Sequence, residues 1–447
     1  MRRKINLNDN WYFTKEENQR VEIHLPHTWN AVDGIDGGND YYRGTCLYEK
    51  EFTKPSFEEG ERVYLEFEGV AMKATVILNE KEIGIHEGGY STFRIDITDE
   101  LKDTNRLKVF VNNEKNHIYP QSADFTFYGG IYRDVHLVVV PKNHFTLAYK
   151  GGLGIKVTPT VHLDTRCATV FVEAWVEGEA KEVLFETDNQ KINVEVEAGY
   201  AKCEFVIEDA HLWDGINDPY LYSLNAKVDE DELCVNYGIR SFEITSDRGF
   251  ILNGKEYPLR GVSRHQDRSE VGNALTKEMH EEDMAIIREV GANSIRLAHY
   301  QHAQYFYDLC DKYGIIAWAE IPYITMHMSE GRENTLSQME ELIIQNYNHP
   351  SIVVWGLSNE ITAASIVNEE LLENHRKLND LAHKLDPTRK TVLASAFMLE
   401  IDSPILDIAD ANTYNLYFGW YLGDLVQNDE FFDEWHEKYP NKPIGFS

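Results

Sequence analysis

"SIVVWGLSNE", residues 351–360, is the stretch on which the fold turns. Ile352, Val353, Val354 and Trp355 lead through Gly356 and Leu357 to Ser358 and Asn359, and the run stops at an acid, Glu360. A strand that is apolar on both faces belongs to a parallel sheet covered by helices, and such sheets gather functional side chains at the carboxyl ends of their strands. The pattern therefore puts Asn359 and Glu360 where chemistry would sit.

The same unit recurs on both sides of this stretch. "YPLRGVSRH" reads as a strand, and Thr276 to Val290 as a helix, with Met279, Ile286, Ile287 and Val290 at helical spacing, a Thr cap and a closing Gly291. "NSIRLAHY" is a strand, "HAQYFYDLCDKYG" a helix stopped at Gly314, and "IIAWAEIP" a strand. A helix from about Thr335 to Tyr347 precedes the opening stretch. After it come the helix "NEELLENHRKLNDLAHKL", the strands "KTVLASAF" and "LDIADANTY", the helix "EFFDEWHEKY" and the strand "KPIGFS". This alternation predicts a TIM barrel over residues 245–447 in which the eighth strand is absent.

Toward the amino end the period changes to two. Residues 1–142 alternate apolar and polar positions in short runs, such as Val63, Leu65 and Phe67, separated by turn signals; they predict a jelly-roll-like antiparallel sandwich. Residues 143–244 repeat the pattern, with Val170, Val172, Ala174 and Val176, at the size of an immunoglobulin-like sandwich. The expected fold class is thus multidomain, two β-sandwiches followed by an incomplete (β/α)8 barrel.

Composition narrows the function. The 447 residues carry 43 basic and 75 acidic side chains, a formal charge of -32, which argues against a nucleic-acid or anionic-membrane partner because both require clustered positive charge. A neutral partner such as a carbohydrate fits better. No stretch approaches the roughly 18 apolar residues of a membrane span, and no signal-peptide pattern follows the initial Met-Arg-Arg-Lys. Five cysteines without paired short spacing indicate neither a zinc site nor a disulfide framework. The expected location is the cytoplasm.

On a barrel, the strand ends would present Arg264 and His265, Arg296 and His299, Glu320, Asn359 and Glu360, and Asn412 and Tyr414 to one cavity. With Trp318, Trp355 and Trp420 they combine carboxylate, amide, imidazole and aromatic faces, the groups that hydroxyl-rich ligands need. Each has a plainer reading. Isolated histidines are more often core or loop residues than metal ligands, Trp318 and Trp355 sit within strands where packing explains them, and Glu369, Glu370 and Glu373 form a wet helix face. Only the barrel position tips the balance for Glu360.

These residues lie in motifs that resemble glycoside hydrolase family 2, the bacterial β-galactosidases in particular: "DFTFYGGIYRDV", "GVSRHQD", "SIRLAHY", "FYDLCDKYGIIAWAEIP", "NHPSIVVWGLSNE" and "NLYFGWY", in this order. The resemblance implies a sugar-binding first domain and a retaining β-glycosidase with Glu360 as general acid/base. It implies further that Asn359 binds the sugar 2-hydroxyl, that His265 and His299 line the sugar subsite with Arg296 beside the carboxylates, that Tyr414 stands near the nucleophile, and that Asp124 reaches in from the first domain. Trp420 is expected to contact substrate from its loop. Members that bind magnesium carry Glu and His after the third barrel strand, where this chain has Ile324 and Met326, so no cofactor is expected.

The family nucleophile is a Glu in a run commonly reading Ser-Glu-Tyr-Gly, and by that match it would directly follow Ser447. Retention needs two carboxyl groups about 5 to 5.5 Å apart. The chain as it stands is therefore expected to be nearly inactive, and the uncovered edges of an open barrel leave self-association open. β-Galactosidase is the leading expectation. The alternatives are β-glucuronidase, which shares nearly all the motifs, and a non-catalytic carbohydrate-binding protein.

Overall fold

The computed structural model describes residues 1–16, 19–33 and 41–447. Its first part is a sandwich of a four-stranded and a six-stranded antiparallel sheet. The inward positions of alternating strands, such as Val63, Leu65 and Phe67 against Val109 and Val111, close over a core that holds the buried Trp11 and Tyr48. A second sandwich of two four-stranded antiparallel sheets follows, with Phe145, Val172, Phe185 and Leu224 fully buried at its centre. No helix among the described residues is long and apolar enough to cross a membrane.

The third part is a parallel sheet of seven strands: β1 (Gly261–Arg264), β2 (Ser294–Leu297), β3 (Ile316–Glu320), β4 (Ile352–Asn359), β5 (Lys390–Ala396), β6 (Ala411–Asn415) and β7 (Ile444–Phe446). They pair in chain order, and β1 and β7 do not pair with each other. This is a TIM-barrel sheet that stays open along one side. Helices α1 (Lys277–Glu289), α2 (Gln304–Tyr313), α3 (Arg332–Asn346), α4 (Glu369–Leu385) and α5 (Val426–Lys438) cover its outer face. Between β5 and β6 the connection is a short 3-10 turn, Pro404–Asp407, in place of a helix.

Local signals place the helix ends. The Thr276 hydroxyl caps α1 by accepting from the Met279 N–H, the Asn368 amide does the same for α4 at Leu371, and Gly314 ends α2 at φ 72°, a conformation that side chains resist. At the amino end of the sheet, Phe250, Leu252 and Tyr257 of a preceding β-meander pack on Ile316, Val353 and Val354 and seal the barrel floor. The carboxyl end is left for the first sandwich to cover. Arg133 donates to the Gln301 carbonyl at 2.9 Å, the rings of Tyr90 and Tyr300 stack at 4.3 Å, and Gln345 exchanges hydrogen bonds with the Thr92 backbone.

Candidate active site

The carboxyl end of β4 answers the question its sequence poses. Ile352, Trp355 and Leu357 face the helices, packed in the outer core. Against β5 the register then slips: Gly356 pairs with Val392 but Ser358 with Leu393, so β4 carries one extra residue. Bulges of this kind re-aim side chains next to active sites. Ser358 turns outward to the His375 ring of α4 at 2.8 Å, while Asn359 turns into the barrel. Glu360 follows at φ 46°, in the left-handed region that non-glycine residues adopt at some cost. Its N–H donates to the Ala394 carbonyl at 2.7 Å and its carbonyl accepts from Ala363 at 2.8 Å, which holds that conformation.

One buried network organises the interior. Arg296 of β2 donates Nε and Nη2 to the two oxygens of Glu320 at 3.1 and 3.2 Å, Nη2 also to Asn359 Oδ1 at 2.7 Å, and Nη1 to Asn415 Oδ1 at 3.2 Å. His299 Nδ1 lies 2.5 Å from Glu320 Oε1. Burial alone would push the Glu320 carboxyl up, but the Arg296 guanidinium and His299 outweigh it and hold the group below the usual range. The Arg296 plane also lies 4.3 Å over the Trp318 ring. The effect is to lock the side-chain amide of Asn359 in one orientation.

Glu360 is held from the other side. Its Oε1 accepts from Asn415 Nδ2 and from the Tyr417 hydroxyl, both at 2.9 Å, and Asn415 Nδ2 also reaches Asn359 Oδ1 at 3.1 Å. Burial, and then the Glu360 carboxylate, push the Tyr417 phenol up, so it stays a donor. At the opposite wall the His265 ring lies 5.2 Å from that of His299 and 4.6 Å from Phe125, a residue of the first sandwich. Burial, with His299 adding to it, lowers His265 to about 4, which keeps it neutral at ordinary pH. Asp124, exposed beside Phe125, is close enough to act electrostatically on both His265 and Tyr417.

The structure thus brings Glu360, Asn359, Arg296, His299 and His265 into one cluster with Asp124 on its rim. Tyr414 does not belong there, and the expectation for it is corrected. Its ring is fully buried on the helix side of β6, edge-on to Phe431 and Trp435 of α5 at 4.8 and 6.1 Å, and its hydroxyl donates to the Leu399 carbonyl. Alternation along the strand explains this: Tyr414 and Asn412 share the outward face, while Thr413 and Asn415 point inward. Arg264 likewise faces out, bonded to Asp283 of α1. Trp420 stands outside the cluster, 79% exposed in the loop after β6 beside Tyr421.

Asn415 and Tyr417 complete the cluster, and the sequence pattern alone does not single them out. "YNLYF" offers three aromatic rings, and only the parity of β6 tells which one is turned toward the cavity. Ile324 is fully buried against a cluster that includes Phe127 and Tyr300, and has no ligand atom. Two groups with metal-ligand spacing, Glu66, Glu68 and His136 in the first sandwich and Asp308, Asp311 and His349 on the outside of the barrel, share no residue with the cluster.

Residues 242–445 match the model of the glycosyl hydrolases family 2 TIM barrel domain, and residues 6–141 that of the family 2 sugar binding domain. A β-glucuronidase of Bacteroides fragilis is 39% identical across the whole chain, which spans 68% of that protein. The chain belongs to glycoside hydrolase family 2. A solved structure, the FMN-binding β-glucuronidase from Facaelibacterium prausnitzii L2-6, superposes with a TM-score of 0.96 at 43% identity, over 100% of this chain and 72% of that one. A β-galactosidase of Thermoanaerobacter pseudethanolicus is 30% identical over 86% of this chain and 53% of its own length. In family 2 terms, Glu360 and Asn359 close the fourth barrel strand, and the first sandwich covers the mouth above them.

Proposed function

We propose that this chain carries the acid/base half of a retaining β-glycosidase site and that the whole protein hydrolyses β-glucuronides. The observation that carries the reading is the clamp on Glu360: one carboxylate oxygen is held by Asn415 and Tyr417 beside an Asn359 fixed by Arg296. A carboxyl group oriented in this way can give its proton to the leaving oxygen and later take one from water, while Asn359 binds the hydroxyl next to the anomeric carbon. His265, neutral, and His299, bonded to Glu320, would take sugar hydroxyls on the opposite wall.

The second carboxylate is proposed for the position after Ser447, just past the end of β7. Ser447 Oγ donates to Asn415 Oδ1 at 2.7 Å, and the same amide donates to Glu360, so that position adjoins the acid. The expectation of a β-galactosidase gives way to the glucuronidase reading because the more similar relatives carry that name, at 39% and 43% identity against 30%.

The test is to assay the full-length gene product on nitrophenyl β-glucuronide and β-galactoside. A glucuronide preference of roughly a hundredfold or more in kcat/KM is expected, since a site built for a carboxylate is left unpaired by a hydroxymethyl group. A preference for the galactoside overturns the substrate assignment, and loss of both activities with retained sugar binding favours the non-catalytic reading. Glu360→Gln should slow substrates with poor leaving groups far more than activated ones. Equal loss on both counts against the acid role.

A further inference from the structure

On the floor side of the barrel, opposite the candidate active site, a cavity of about 200 Å³ opens between the second sandwich and the loops that lead into β4 and β5. Thr160 from the sandwich, Ser241 and Arg240 from the segment that follows it, and Asn348 and Arg389 from the barrel loops line it. The two arginines converge: Arg240 Nη2 and Arg389 Nε donate to one carbonyl, that of Ile352, at 2.7 and 2.8 Å. Arg240 also donates Nε to the Pro350 carbonyl at 2.5 Å, and its guanidinium lies 4.7 Å from the Phe242 ring centre. It has no carboxylate partner and no hydrogen bond at Nη1 among the described residues.

The nearby acids are already engaged. Asp386 accepts from Arg389 Nη1 at 2.7 Å, from the Trp355 ring at 3.0 Å, and from both the N–H and the hydroxyl of Thr388. Asp311 is paired with His349 at 2.6 Å and accepts from the Ser351 N–H. Lys156 over the Tyr347 ring adds positive charge and has Glu173 at 3.8 Å for its partner. Of the two guanidinium groups at the edge of this open space, only Arg389 therefore has a carboxylate bonded to it among the described residues. Like charges this close in a poorly solvated site repel unless a counter-ion is supplied. The hydroxyls of Thr160 and Ser241 have no partner among the described residues.

We propose that this cavity binds a small tetrahedral oxyanion of the phosphate or sulfate type, held by Arg240 and Arg389 with the Thr160 and Ser241 hydroxyls. Arg240 keeps its Nη1 hydrogens and one on Nη2 for such an anion, whereas Arg389, whose Nη2 already serves the Tyr347 and His349 carbonyls at 2.8 and 2.7 Å, offers its second Nη1 hydrogen, and the volume admits one anion together with water. The same proximity acts on Arg240 itself, whose pKa is drawn down to about 9 by burial and then by Arg389. An anion here would tie the second sandwich to the barrel, remote from the catalytic cluster.

Thermal unfolding of the chain in rising sodium phosphate, against sodium chloride at matched ionic strength, tests this. A ligand that binds only the folded state raises the midpoint saturably. A rise of a few degrees is expected with phosphate or sulfate and none with chloride. Arg240→Gln should abolish it, Ser241→Ala should weaken phosphate binding several-fold in equilibrium dialysis, and the surface change Arg376→Gln should leave it intact. An equal response to chloride, an undiminished response in Arg240→Gln, or, where that variant fails to fold, no saturable uptake of phosphate by the parent chain in dialysis would overturn the proposal. Preference between phosphate and sulfate in competition identifies the anion.

Discussion

Replacing Arg296 with methionine removes the guanidinium bonded to Glu320 and leaves a carboxylate whose side chain is 1% exposed. Four hydrogen bonds go with it, two to Glu320 and one each to Asn359 and Asn415. Breaking a buried pair from one side costs roughly 3–5 kcal/mol, because the remaining charge keeps its desolvation penalty without its partner. The pH dependence follows from the same balance. In the parent, Glu320 has a lowered pKa, so its contribution is full above the unfolded carboxylate value and is lost as pH falls through the folded one. In the variant, burial is no longer opposed by Arg296 and the pKa rises, so acid relieves the penalty. Urea unfolding followed by tryptophan fluorescence at about pH 7.5 and about pH 5 should show the gap between parent and variant narrowing in acid. Glu320→Gln added to Arg296→Met should restore about 2 kcal/mol or more, since it removes the stranded charge. A loss below about 1 kcal/mol in the single variant, or the same loss at both pH values, would refute the reasoning.

Three further outcomes follow from named contacts. Tyr417→Phe in the full-length protein should lower kcat/KM on poor leaving groups about tenfold or more by freeing Glu360, whereas Tyr414→Phe, which loses one hydroxyl bond to Leu399, should change stability by about 1 kcal/mol and kinetics little; the comparison of the two by initial rates checks the parity of β6. Gly356→Ala would place a methyl 2.5 Å from Glu320 Cβ and from Trp318 Nε1, and overpacking should cost about 1–3 kcal/mol in denaturant titration. His375, fully buried and lowered to about 4 by burial, is neutral in the folded chain, so the unfolded chain gains protons first and stability falls as pH drops from about 6.5 toward 4. Its share approaches about 3 kcal/mol, and a pH series of melts on His375→Gln should be correspondingly flatter over that window.

Most of the fold was legible because it rests on local periodicity. A change from alternation to helical spacing near residue 245 marks the passage from sandwiches to barrel, and Thr276, Asn368 and Gly314 mark helix ends through backbone chemistry that needs no distant partner. The 3-10 turn at Pro404–Asp407 and the exclusion of Arg264 from the site were less visible, since each depends on what the opposite surface offers.

The chain order of residues was enough to establish seven strands, most of them joined through helices, and an Asn-Glu pair at the end of the fourth, because apolar runs and caps are read along the chain. Which side chains meet was decided only by the assembled sheet. The extra residue in β4 sends Ser358 outward and Asn359 inward, and the pleat of β6 buries Tyr414 while Asn415 and Tyr417 reach Glu360. Direction in a strand alternates every residue, so one slip in register exchanges core for cavity, and that register is fixed by the neighbouring strands.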